Sequence, residues 1–197
     1  FISNLLLLHS MGIHSHLSWN GPSWSISAEL FAYITFYILT VVFDNKNRLS
    51  IPIIISTSCY LFLFKLNRDG LDITFDYGFI RCIAGFYLGV FLFRLRSHLT
   101  TNIVSAKPIS IMEIASILFL VVGVTYSDIN YLFMMLAIFS FSSVLLVFSS
   151  PKSSYLGRLL ESKQMRSIGV YSYSIYMVHS LVISITSNIF EYIFKYN

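Results

Sequence analysis

Six apolar stretches of roughly bilayer-crossing length, separated by short loops that hold nearly all the charge, limit what this chain can fold into. They cover residues 27–43, 51–64, 79–93, 111–126, 131–148 and 172–194. A bilayer core offers no water to unpaired N–H and C=O groups, so each stretch must satisfy its backbone internally, and an α-helix does this within one segment. The expected fold class is all-α: a polytopic transmembrane helix bundle of about six spans, forming a single membrane-embedded domain over residues 1–197. With 56% hydrophobic and 11% charged residues, the chain has too little polar surface to coat a soluble globule. The run 51–64 is short for a ~30 Å core at ~1.5 Å per residue, unless Leu49 and a snorkelling Lys65 extend it.

The loops alternate in sign. Lys46 and Arg48, then Arg94, Arg96 and Lys107, then Lys152, Arg158, Lys163 and Arg166 mark three cytoplasmic loops by the positive-inside rule. The loops between them set Lys65 and Arg68 against Asp69, Asp72 and Asp76, and then carry Asp128, so they face outward. Both chain ends are then expected outside. The net charge of +4 is spread through these loops without an aromatic-interleaved stripe, so no nucleic-acid partner is expected. Pro22, Pro52, Pro108 and Pro151 lie at or beyond span ends, leaving the helix interiors unbroken. Cys59 and Cys82 fall inside apolar runs, where they form neither a disulfide framework nor a zinc site, and His9, His14 and His16 match no zinc spacing. No metal or tightly bound cofactor is expected. The chain starts at Phe1 with no secretory leader legible, and reads as a piece of something longer.

Against this background Glu29 stands out, because an acid in a membrane helix costs about 2–4 kcal/mol and such residues usually face a bundle interior or a water-filled cavity. It follows the polar segment Ser18-Trp19-Asn20-Gly21-Pro22-Ser23-Trp24-Ser25, in which the proline suits a first helical turn, Asn20 or Ser18 can cap, and Trp24 suits the membrane–water boundary. Ser25 and Glu29, four apart, share a helix face. That face reads either as a polar recess or as a capped helix start whose acid favours the positive dipole end. Arg81, a permanent cation just inside the outer end of a span, needs an anionic or carbonyl partner; Glu29 at similar depth is the internal candidate, as a functional or a purely structural pair. Gly85 and Gly89 form a small-xxx-small face expected to admit a close helix. Ser172, Tyr173, Tyr176 and His179 recur at helical spacing on the last span, a face suited to binding a sugar or thioester, or to hydrogen bonding between helices.

These residues carry a family resemblance. Asn20-x-Pro22-x-Trp24-Ser25-x-x-x-Glu29, then Arg81 with Gly85-Phe86-x-x-Gly89, then Ser172-Tyr173-x-x-Tyr176-x-x-His179 resemble, in the same order, motifs of the acyltransferase 3 family of integral-membrane O-acyltransferases. The resemblance implies transfer of an acyl group, most often acetyl, from acetyl-coenzyme A or another acyl-coenzyme A to a hydroxyl of a cell-surface, exported or lipid-linked carbohydrate at a bacterial inner membrane. It implies Glu29, Arg81 and His179 as catalytic candidates, with Asn20, Trp24, Ser25, Ser172, Tyr173 and Tyr176 binding substrate. Family members carry an Arg and a His on helices ahead of the Trp-Ser motif and a further span after the Tyr-x-x-His helix. This chain shows neither, so it is expected to be a C-terminal portion that does not turn over alone. A transporter or flippase of lipid-linked sugar is the rival reading, but the inverted repeats and broken helices common among transporters are not visible. A membrane anchor that only packs against partners leaves Glu29, Arg81 and His179 without purpose.

Overall fold

In the computed structural model, residues 2–8, 10–12, 21–43, 48–66, 73, 76–98, 106–127, 131–149 and 154–195 are described, and among them the chain is all-α with no strand. One helical turn, α1 (Ile2–Leu5), precedes a 3-10 turn at Gly21–Ser23 that runs directly into α2 (Trp24–Phe43). Then follow α3 (Ser50–Lys65), α4 (Gly78–His98), α5 (Ala106–Thr125), α6 (Tyr131–Phe148), the short α7 (Tyr155–Leu160) and the long α8 (Lys163–Lys195). Each of the six expected spans is a helix. Gly21–Val42, Gly78–His98 and Lys163–Ile193 are long and apolar enough to cross a bilayer by length and composition, whereas Ser50–Lys65, Ile109–Thr125 and Leu132–Phe148 are shorter apolar helices. The 16 residues of α3 make a rod of only about 24 Å, the shortfall expected from its sequence.

Several helices outrun their apolar stretch. The α8 helix begins at Lys163, well before Ser172, because charged residues do not break helices; hydropathy marks where lipid starts, not where hydrogen bonding stops. Its first turn is tied to Ser162, whose carbonyl accepts the Arg166 N–H at 3.0 Å. Pro52 and Pro108 sit in the first turns of α3 and α5, where the missing N–H has no helical partner to lose.

The helix α4 is the hub, packing against α2, α3 and α6, while α5 pairs with α6. Ser56 on α3 donates to the Ala84 carbonyl on α4 at 2.8 Å, a buried bond that fixes the depth of one helix on the other. Within the spans, other hydroxyls donate to carbonyls of their own helix, such as Ser140 to Ala137 at 2.7 Å and Thr35 to Phe31 at 2.7 Å, so no partner from solvent is required. Large side chains such as Ile111, Leu118, Val121, Val170 and Ile183 lie exposed, the lipid-facing surface of a membrane protein.

The close glycine contact falls elsewhere than at Gly85 and Gly89. A Cβ on Gly85 meets only the Tyr60 hydroxyl, at 3.9 Å, and one on Gly89 meets nothing within 4 Å; both glycines open onto a cavity. The tight approach is between α5 and α6, where a Cβ on Gly123 falls 2.8 Å from Ser140 Oγ and 3.2 Å from Ala137 Cα. Gly123, Ala137 and Ser140 are small residues on facing helices, a match visible only once α5 and α6 are known to pair.

Candidate active site

The seam between α2 and α4 is built around aromatic rings. Phe86 on α4 meets Tyr33 and Phe36 of α2 edge-on, with centroids 5.7 and 5.5 Å apart. Tyr33 and Phe36, three apart on α2, thus clasp one ring. This leaves the Tyr33 hydroxyl directed one turn back, where it donates to Glu29 Oε1. Glu29 is half-buried, and on the facing helix Cys82 lies within electrostatic range of both its carboxylate and the Arg81 guanidinium. A carboxylate, a guanidinium and a thiol therefore share the Trp24 end of the α2–α4 seam.

Trp24 anchors that end. Its indole packs on the start of α4, 3.0 Å from where a Cβ on Gly78 would stand, and the Arg81 guanidinium lies 4.9 Å from the ring centroid. Gly78 and Arg81 are three apart on α4, so the indole bridges a bare patch of backbone and a cation–π contact. Lacking the Gly78 notch, the ring could not lie flat there. Ser25, which shares a face with Glu29, donates instead to the Pro22 carbonyl at 2.9 Å and closes the 3-10 turn.

One turn further along α2, the wholly buried Ser27 accepts from the Ser10 N–H at 3.3 Å, bonds the Ser10 hydroxyl at 2.8 Å and donates to the Leu7 carbonyl. Gly12, with φ +73°, takes the left-handed conformation and brings its backbone against that of Asp76, where a Cβ would meet the Asp76 carbonyl oxygen at 2.9 Å. The N-terminal segment is thus stitched to α2 and to the approach to α4.

The last helix is placed differently. α8 touches the Gly21–Ser23 turn and α7, and its side chains are exposed along nearly its whole length. Ser172 donates to Gly169 O at 2.8 Å, and His179 Nδ1 bonds the carbonyl of Tyr176, whose ring lies 5.4 Å from the imidazole. Tyr173 alone among the four reaches toward the seam, lying within electrostatic range of Tyr33. Glu29, Arg81 and Trp24 therefore gather at the α2–α4 seam, Ser25 closes the turn at the head of α2, and Ser172, Tyr176 and His179 bond within their own helix. Asn20, His9, His14 and His16 lie outside the described residues.

Two engaged side chains escaped the sequence reading. Tyr33 follows Glu29 by four residues, the same spacing rule that singled out Ser25, applied in the other direction. Glu113 on α5 is only 2% exposed and accepts from the Ser154 hydroxyl, 2.5 Å from Oε1. Ser154 also caps α7, accepting the Gly157 N–H at 2.9 Å. An acid near the head of an apolar run was the signal there, as it was for Glu29.

Comparison with known proteins now decides the family: a family model described as an acyltransferase domain matches residues 1–194. The chain belongs to the acyltransferase 3 family. No curated protein and no solved structure matches it. As a member of that family it is a membrane acyltransferase, and the three motifs that carry the resemblance all lie within the matched residues.

Proposed function

We propose that this acyltransferase moves an acyl group, most commonly acetyl, from a cytoplasmic acyl-coenzyme A to a hydroxyl of a carbohydrate on the outer side of a bacterial inner membrane, which the chain crosses several times. In the transfer the acceptor oxygen attacks the thioester carbonyl, a C–O bond forms, the C–S bond breaks, the coenzyme leaves as thiol, and the hydroxyl proton passes to a base. Acceptors include exported or lipid-linked glycans.

The single observation that carries the reading is the Glu29 carboxylate, held by Tyr33 and sharing the seam with Arg81. In a dry recess an oriented carboxylate can take or steer the acceptor proton, and a guanidinium can stabilise the oxyanion that develops. In this scheme Trp24 and Ser25 contact the sugar. In the same scheme Ser172, Tyr173, Tyr176 and His179 on α8 bind the acceptor or the thioester, and Tyr173 lies within electrostatic range of Tyr33.

The test is Glu29→Gln in the complete enzyme, following transfer of labelled acetyl from acetyl-coenzyme A to the glycan. A general acid or base contributes about 10²–10⁴-fold, so turnover is expected to fall at least about 10²-fold with normal expression. Unchanged turnover removes Glu29 from the site.

A further inference from the structure

The cavity bordered by Gly85 and Gly89 lies between α3, α4 and α6 and measures about 230 Å³. Its floor is bare α4 backbone; its walls include Leu92, Leu145, Tyr60 and Ser142. The Ser142 hydroxyl is already spent on the Ile138 carbonyl at 2.9 Å, so the surface presented is largely hydrocarbon. Leu145, 56% exposed, forms an outer lip, so the cavity opens to what surrounds the bundle. An apolar cavity of this size is poorly served by water, and it is smaller than the ~300–1,000 Å³ of sites that enclose a whole small molecule. It suits a segment of linear chain.

One end of the cavity leads to a basic residue. Arg96 follows Leu92 by one helical turn and so continues the face that carries Gly85, Gly89 and Leu92. A hydrocarbon trough with an arginine one turn beyond it matches one bilayer component on both counts, since basic pockets between membrane helices attract anionic headgroups while the interior takes tails.

We propose that this trough is a binding site for an anionic phospholipid, with a tail along Gly85, Gly89 and Leu92 and its phosphate against Arg96. The two glycines leave room for a chain, and Arg96, one turn beyond Leu92, favours an anionic headgroup over a neutral one. The proposal does not depend on the acyl-transfer scheme, since lipid retention is read without turnover.

Native mass spectrometry of the full chain, purified in detergent and incubated with palmitoyl-oleoyl-phosphatidylglycerol or with the matching phosphatidylcholine at equal concentration, tests it. One phosphatidylglycerol is expected to be retained in clear preference to phosphatidylcholine. Arg96→Gln should cut that retention about fivefold, the equivalent of ~1 kcal/mol for one basic residue near an anionic surface. Gly89→Leu should abolish it by filling the trough, and Leu145→Trp, narrowing the trough from the opposite wall, gives the same answer if the glycine variant loses helicity. Equal retention of the two lipids, or retention untouched in both trough-filling variants, overturns the proposal. So does displacement of phosphatidylglycerol by a lower concentration of palmitoyl-coenzyme A, which makes the trough a donor site, or a wild-type dimer that Gly89→Leu converts to monomer, which makes it a helix-packing groove.

Discussion

Replacing Ser154 by alanine isolates the most heavily buried acid among the described residues. The Ser154 hydroxyl has two tasks: it donates to Glu113 and it accepts the Gly157 N–H at the start of α7. Loss of an N-cap costs about 1 kcal/mol. A buried acceptor left without its donor costs about 1–3 kcal/mol, with a carboxylate toward the upper end. When α7 detaches, Glu113 reaches water or headgroups, so the whole penalty falls on the docked state and the two losses add to about 2–4 kcal/mol. That is about 30- to 1,000-fold in the docking equilibrium. Amide hydrogen exchange over Tyr155–Leu160, measured by mass spectrometry in detergent micelles, reads this local opening directly. Ser154→Thr keeps both bonds and should stay near wild type. Glu113→Gln keeps an acceptor but loses the charge-assisted bond, worth roughly twice a neutral one, and should cost about 1 kcal/mol. If Ser154→Ala leaves exchange in α7 unaltered, or if it equals Glu113→Gln, the pair does not hold α7 to the bundle and the reasoning fails.

Other outcomes follow from the same geometry. Gly123→Ala sets a helix-propensity gain of about 1 kcal/mol against overpacking of about 1–3 kcal/mol, with the Ala137 backbone unable to yield; the clash should win and lower the unfolding midpoint. Gly89→Ala meets nothing within 4 Å and should raise that midpoint instead, so the two variants are expected to move in opposite directions. Tyr33→Phe retains the edge-on ring contact with Phe86 while deleting the bond to Glu29, so expression should hold and acyl transfer should fall about tenfold, the loss of one hydrogen bond to a charged group. Gly78→Leu should displace the Trp24 indole, seen as a shift in tryptophan emission.

The legible part of the candidate site was its chemistry. Glu29 and Arg81 were conspicuous because charge in lipid is expensive, and Trp24 because an indole beside a polar turn marks a membrane boundary. Their partners were less so. Nothing local says that Gly78 notches α4 for an indole, or that Phe86 turns Tyr33 toward Glu29, because both contacts cross between helices far apart in sequence. The glycines show the limit most plainly. The spacing of Gly85 and Gly89 marked a packing face, but whether a helix fills such a face depends on where the neighbours run, and here α6 stands off while Gly123 takes the close contact.

The helical fold class was decided by sequence alone, since a hydrocarbon solvent forces each long apolar segment to pair its own backbone whatever its neighbours do. Length, loop charge and the motif order needed no coordinates either. The tertiary structure decided which helices touch: α4 at the hub, Trp24 on Gly78, Glu113 beneath α7, and α8 lying along the Gly21–Ser23 turn with its polar face bonded to itself. Those pairings depend on shape and on single buried hydrogen bonds between residues distant in the chain, and hydropathy, a property of one segment at a time, carries no record of them.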